Sequence, residues 1–155
     1  MKRKPGETLQ HLRHRIFMAR TANIYRHQRE LAEKAGCSLM IDLDWLRKRV
    51  AFILTEPGPV CYYCHERLTV RTFSLDHRIP VSRGGSFELS NLDVICLSCN
   101  QTKGLLSAYE FQLLVDMIDG WLPEARADVK RRLRAGSKAL QRMFAPRGTR
   151  QPEAR

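Results

Sequence analysis

Four of the five cysteines fall into two pairs of identical spacing, Cys61-Tyr-Tyr-Cys64 and Cys96-Leu-Ser-Cys99. A two-residue gap lets both sulfurs of a pair turn to the same side of a tight knuckle. Two knuckles supply four thiolates, the donor set and closed tetrahedral geometry preferred by structural Zn²⁺. Cysteines in a chain without an export signal are expected to stay reduced, which suits metal binding better than disulfides. Cys61-x-x-Cys64-His65 also fits a c-type haem attachment site, but that reading needs export and leaves the second pair unexplained. Redox dithiols would sit at the strand-to-helix junction of a βαβ unit, and neither pair does. With four thiolates present, His65 has no necessary role, and Cys37 reads as a small buried residue.

The 31 residues between Cys64 and Cys96 exceed the roughly 15 to 20 of a simple zinc ribbon, so something substantial is inserted between the halves of the site. The insertion holds Asp76, His77 and Asn91, and Asn100 and Lys103 follow directly on the second knuckle. These residue types suit phosphodiester hydrolysis, which needs a nucleophile made near neutral pH and a neutraliser for charge growing on phosphate and leaving oxygen. An imidazole with an ordinary pKa of about 6.5 can take a proton from water. On a strand Asp76 points away from its neighbour His77 and is free for a hard cation. Asn100 is fixed by Cys99, and a carboxylate with a carbonyl oxygen suits Mg²⁺ or Mn²⁺. The plain alternatives are a structural His77, an Asn91 that merely caps a short turn, and a Gly84-Gly85 that is only a turn.

Over residues 60–104 the order Leu75-Asp76-His77-Arg-Ile-Pro80, Arg83-Gly84-Gly85, Ser90-Asn91-Leu92 and Cys99-Asn100-Gln-Thr-Lys103-Gly104 resembles the HNH endonuclease family. The resemblance implies a ββα-metal core that holds one divalent cation against a scissile phosphate, beside a separate structural zinc on Cys61, Cys64, Cys96 and Cys99. It makes His77 the general base and Asn91 the residue that organises the loop and orients that base. It also makes Asn100, at the third position in place of His, a metal ligand together with Asp76. This HNN variant disfavours soft ions at the catalytic site more than it disfavours activity. Arg83 and Lys103 are candidate phosphate contacts.

The elements that must position these residues are legible in outline. Residues 8–35 read as a basic helix capped by Thr8, with Leu9, Leu12, Ile16 and Ala19 on one face and Gly36 as its stop. A second helix is expected from Asp42 through Ile53, ending before Glu56-Pro57-Gly58-Pro59, the clearest boundary in the chain. The two could form a helix-turn-helix reader with Arg47 to Arg49 on DNA, but a plain hairpin packed on the next unit is preferred. Short β segments follow at 60–63, 68–70 and 72–75, suggesting a small hairpin, and Val94 to Leu97 lead into a helix near Ser98. Ser107-Ala-Tyr-Glu110 is a capping box for a helix burying Phe111, Leu114, Val115 and Ile118. Pro123 opens a last helix with Val129, Leu133, Leu140 and Phe144 on its apolar stripe. The expected organisation is α+β: a basic helical region at 1–56, the zinc-bearing ββα core at 57–106, helices at 107–145 and a disordered tail at 146–155.

Charge supplies the partner. Lys plus Arg number 27 against 16 acids, a net +11. Residues 1–60 carry 12 positive and 6 negative charges, 61–104 carry 5 and 4, and 105–155 carry 10 and 6. Basic flanks around a balanced middle suit a nucleic-acid backbone gripped from both sides, with Arg131, Arg132 and Arg134 of the last helix as candidate contacts. The chain lacks the apolar run of a membrane span or a signal peptide, so a cytoplasmic location is expected. The expected activity is metal-dependent hydrolysis of duplex DNA, leaving, as the resemblance implies, a 5′ phosphate and a 3′ hydroxyl. The rival from another class is a non-catalytic zinc module that binds nucleic acid, which has no need of Asp76, His77 and Asn100 together. RNA is less favoured because no aromatic sheet platform is evident. The small size and basic helices also resemble stand-alone HNH proteins of phages and prophages, some encoded near DNA-packaging genes. A second copy or a packaging protein is therefore a further possible partner.

Overall fold

The computed structural model describes residues 2–55 and 57–144. The tail expected over 146–155 lies outside the described residues. The helices are α1 (Leu9–Lys34), α2 (Leu43–Arg49), α3 (Leu97–Lys103), α4 (Ala108–Asp119) and α5 (Pro123–Phe144), and the strands are β1 (Phe73–His77) and β2 (Leu92–Cys96). The class is α+β, with a two-stranded antiparallel hairpin packed on α3 beside a four-cysteine cluster.

Capping fixes the helix starts. Thr8 accepts from His11 N, Asp42 accepts from Trp45 N, and Ser107 with Glu110 closes a complete capping box. The buried side of α1 is rotated from the expected face: Ile16, Phe17, Thr21, Gln28 and Ala32 are buried while Leu9 is exposed. The expected second helix is split, because α2 stops at Arg49 and the chain tightens into a 3₁₀ turn, Ala51–Leu54, that carries Ile53 into the core. Arg47 turns toward α1, donating from Nε to Thr21 Oγ1 at 3.4 Å. Cys37, expected to be buried, is exposed.

The hairpin forms between different segments from those expected. Residues 69–72 are a turn, with Thr72 N donating to Thr69 O at 3.1 Å, so 68–70 does not pair with 72–75. Instead β1 pairs with β2 across the loop 78–91, in the register Phe73 opposite Cys96 and His77 opposite Leu92. This pairing brings the second knuckle alongside the first, whose own loop is closed by the isolated bridge between Val60 and Arg67.

Every residue of β1 is buried, since helices cover both of its faces. Phe17 of α1 stacks on Phe73 at 6.2 Å between centroids, and on the opposite face Asn100 of α3 donates to Ser74 Oγ at 2.8 Å. One apolar cluster runs through Phe17, Leu46, Ile53, Leu75, Ile95 and Phe111 to Cys61, Cys96 and Cys99. Tyr63 of the first knuckle meets Phe111 of α4 edge-on at 4.8 Å. α5 lies along α3: Arg134 donates to Ser98 Oγ at 2.8 Å and to Thr102 Oγ1 at 3.3 Å. The approach is close at Gly104, where a Cβ would stand 2.0 Å from Ser137 Oγ, so no larger residue fits. Along α5, Val129 and Leu133 are half-buried and Leu140 is exposed.

Candidate active site and metal centre

The four knuckle sulfurs of Cys61, Cys64, Cys96 and Cys99 lie within 4.8 Å of one another, as the spacing requires. Cys64 Sγ and Cys96 Sγ are 3.7 Å apart. A tetrahedron of zinc–sulfur bonds of about 2.3 Å has edges of about 3.8 Å, so the donor set is consistent with one Zn²⁺. The backbone supports it: Cys96 N donates to Cys61 Sγ and Cys99 N to Cys96 Sγ. Sharing of protons among these crowded sulfurs holds Cys61 far below the ordinary thiol range, through hydrogen bonds with Cys96 and Cys99, and pushes Cys96 up to about 12. One Zn²⁺ bound there would take the place of those protons. His65, outside the cluster, closes the knuckle with a left-handed backbone (φ 56°).

Asp76, His77, Asn100 and Lys103 line one cleft of about 930 Å³ between α1 and the hairpin. Side chains rather than a third strand occupy the outer edge of β1. Successive carbonyls along a strand alternate between its two edges, so those of Phe73, Leu75 and His77 share one edge. They accept in turn from Arg20 Nε at 2.7 Å, Asn100 Nδ2 at 3.1 Å and Lys103 Nζ at 2.7 Å. The orphan acceptors of an edge strand are thereby satisfied and closed to another chain. Arg20 also lies over the Phe73 ring at 5.4 Å.

This edge fixes the presentation of the polar groups. Both hydrogen bonds of Asn100 to β1 use its amide nitrogen and leave its oxygen unused by the strand. Lys103 is 1% exposed, and besides the His77 carbonyl it bonds Asp76 Oδ1 at 3.2 Å. It lies 3.1 Å from Oδ2 without the angle of a hydrogen bond, so that oxygen keeps its lone pairs. Asp76 Oδ2 and the Asn100 oxygen are each hard donors of the type that Mg²⁺ or Mn²⁺ takes. Burial pushes the Asp76 carboxyl up to about 6 against the pull of Lys103. Burial, followed by the charges of Lys103 and His27, brings His77 down to about 4. The His77 ring stands edge-on to Phe87 at 4.9 Å, and its Nε2 is buried with no hydrogen-bond partner.

Asn91 lies behind the site and staples the loop. Its Oδ1 accepts from Ile79 N at 2.8 Å, and its Nδ2 donates to Ile79 O at 3.0 Å and Ser86 O at 2.8 Å. Gly85 does more than turn the chain: a Cβ there would fall 1.8 Å from Ile79 O. The expected phosphate contacts are placed differently. Lys103 is interior. Arg83 forms a two-pronged pair with Glu110 that ties the loop to α4, its NH2 to Oε1 at 3.0 Å. Arg134 is bound to α3, whereas Arg131 and Arg132 are exposed and share Asp128. Sequence reasoning missed the α1 wall of the cleft, where Arg20, Asn23 and His27 recur at helical spacing, and it missed Phe87. The spacing was visible, but nothing in the sequence tied that face to β1.

Among the described residues no helix is long and apolar enough to cross a membrane. A family profile described as HNH endonuclease matches residues 61–111, spanning both knuckles, the hairpin, α3 and the start of α4. No curated protein matches the chain.

Proposed function

We propose that the protein, whose residues 61–111 match an HNH endonuclease profile, cuts DNA by metal-assisted hydrolysis of its phosphodiester backbone, with His77 as general base. The observation that carries the reading is the convergence of His77, Asp76 and Asn100 on one cleft beside a four-cysteine cluster. Mg²⁺ or Mn²⁺ held by Asp76 Oδ2 and the Asn100 oxygen would supply neutralisation of the charge growing on the phosphate and leaving oxygen.

Each protein residue has a definable task. His77, kept neutral by burial, is ready to accept a proton from the attacking water, and a phosphate anion entering the cleft raises its basicity toward the working pH. Phe87 holds the ring edge-on. Lys103 is a positioning residue rather than a phosphate contact: it grips the His77 carbonyl and keeps the Asp76 carboxylate ionised and oriented. Asn91 fixes Ile79, two residues beyond the base. Arg131 and Arg132 are exposed cations of α5 that can meet a backbone. One such site cuts one strand, so a double-strand break requires two chains or two visits.

The test is incubation of zinc-replete protein with supercoiled plasmid and Mg²⁺ or Mn²⁺. The parent should nick the plasmid, and His77→Ala should cut at least about 10²-fold more slowly at unchanged zinc content and DNA affinity. Equal cutting by His77→Ala would remove His77 as the base. DNA binding without cutting by the parent would favour the non-catalytic zinc module.

A further inference from the structure

The HNH domain supplies one wall of the cleft, and α1, outside the matched residues, supplies the other through Arg20, Asn23, His27 and Gln28. α1 is held against β1 by the Arg20 bond to the Phe73 carbonyl and by the stacking of Phe17 on Phe73, so this wall has a fixed position. Its residues fall into two groups. Arg20 and Gln28 face inward, and Gln28 is 3% exposed with its Oε1 unpartnered. Asn23 and His27 are exposed, and the His27 side chain makes no hydrogen bond among the described residues. No folding task accounts for His27 there.

The cleft is chemically one-sided. Arg20, Arg71, Lys103 and Lys138 line it, and Asp76 is the sole acid among the described lining residues. Its volume, about 930 Å³, is at the upper end of ligand sites and has room for more than a single phosphate. Positions 20, 23 and 27 run along one side of a helix for about 10 Å, roughly three base-pair steps of one strand. An imidazole offers an N–H in either protonation state, and Asn offers an amide N–H₂, so both suit the non-bridging oxygens of a phosphate.

We propose that α1 is a second jaw of the nuclease site, with His27, assisted by Asn23, contacting a backbone phosphate of the cut strand across the cleft from His77. The inference rests on the reading of the domain as a DNA nuclease. It makes His27 a substrate-binding residue outside the HNH domain.

The experiment measures binding of a short duplex to zinc-loaded protein carrying His77→Ala, so that the DNA stays intact, alone and combined with His27→Ala or His27→Gln. Plasmid cutting by the His27 single variants is followed in parallel. Loss of one good hydrogen bond to an anion corresponds to about fivefold to tenfold weaker binding. His27→Ala should show that loss and a matching rise in KM with kcat little changed. His27→Gln, which keeps a donor, should recover most of the affinity. A merely structural role would give neither the recovery nor the split between KM and kcat. Coincident binding curves for His77→Ala with and without His27→Ala, in a protein whose parent cuts plasmid, would overturn the second jaw and leave the nuclease reading intact. A parent that neither binds nor cuts DNA would overturn both.

Discussion

Replacing Asn91 by Asp exchanges an amide N–H₂ for a second carboxylate oxygen at a position 7% exposed, with almost no change in shape. The Ile79 N–H still has an acceptor, but the Ile79 and Ser86 carbonyls, 3.0 and 2.8 Å from Nδ2, lose their donor and face a negative charge. Two hydrogen bonds of about 1 kcal/mol each disappear, and two carbonyls at the partly exposed end of the range add up to about 1 kcal/mol each, giving about 2–4 kcal/mol. The sign of the pH dependence follows. The new carboxyl is disfavoured as an anion in the folded loop, so its folded pKa lies above its unfolded value of about 3.9. Stability contributed by its protonated form is fully present below the unfolded value and is lost as pH rises through the folded one. Urea unfolding of zinc-saturated parent and Asn91→Asp should therefore show a smaller gap at about pH 5 than at about pH 8. Hydrogen exchange at the Ile79 amide should be faster in the variant, because the staple that closes the loop is weakened. Superimposable urea curves at both pH values with unchanged exchange at Ile79 would refute the claim that Asn91 holds the loop by donating.

Cys99→Ser should abolish binding of the one zinc expected per chain and unfold the hairpin region, since such a site contributes on the order of 10 kcal/mol; metal analysis and circular dichroism check it. Lys103→Met leaves Asp76 buried without its cation and should cost about 3–5 kcal/mol in chemical denaturation, with Asp76→Asn in the same chain recovering part of the loss. Gly85→Ala forces Ile79 O away from the loop and should lower both stability and plasmid cutting, whereas Gly84→Ala, with open space at its Cβ, meets only the strain of φ 84° and should do less. In salt titrations on one duplex, Arg131→Ala with Arg132→Ala should flatten the log–log slope by about 0.9 for each phosphate contact removed; parallel lines would mean that neither of the two touches DNA.

The four-cysteine cluster was legible in the sequence alone, because the Cys-x-x-Cys spacing is local geometry: each knuckle pairs its sulfurs within four residues, and only the meeting of the two had to be supplied by folding. The same holds for the caps at Thr8, Asp42 and Ser107, where a side chain reaches a backbone N–H three residues on. The order of motifs between the cysteine pairs likewise pointed to the HNH endonuclease profile that matches residues 61–111. Partnership between distant segments was not legible. β-branched content at 68–75 is compatible with either hairpin, and the choice of 92–96 as partner follows from the closure of the cysteine cluster. Charge type misled in the same way. In the sequence, Lys103, Arg83 and Arg134 are cations available to phosphate, but a cation acts on what surrounds it, and packing placed Asp76, Glu110 and the hydroxyls of α3 around these three. The α1 wall was the least legible feature, since nothing local couples Arg20 to Phe73, 53 positions along the chain. Burial of Phe17 against Phe73, with the Arg20 bond to the Phe73 carbonyl, sets that face of the helix across from His77, and so the tertiary fold alone decided which polar residues border the cleft.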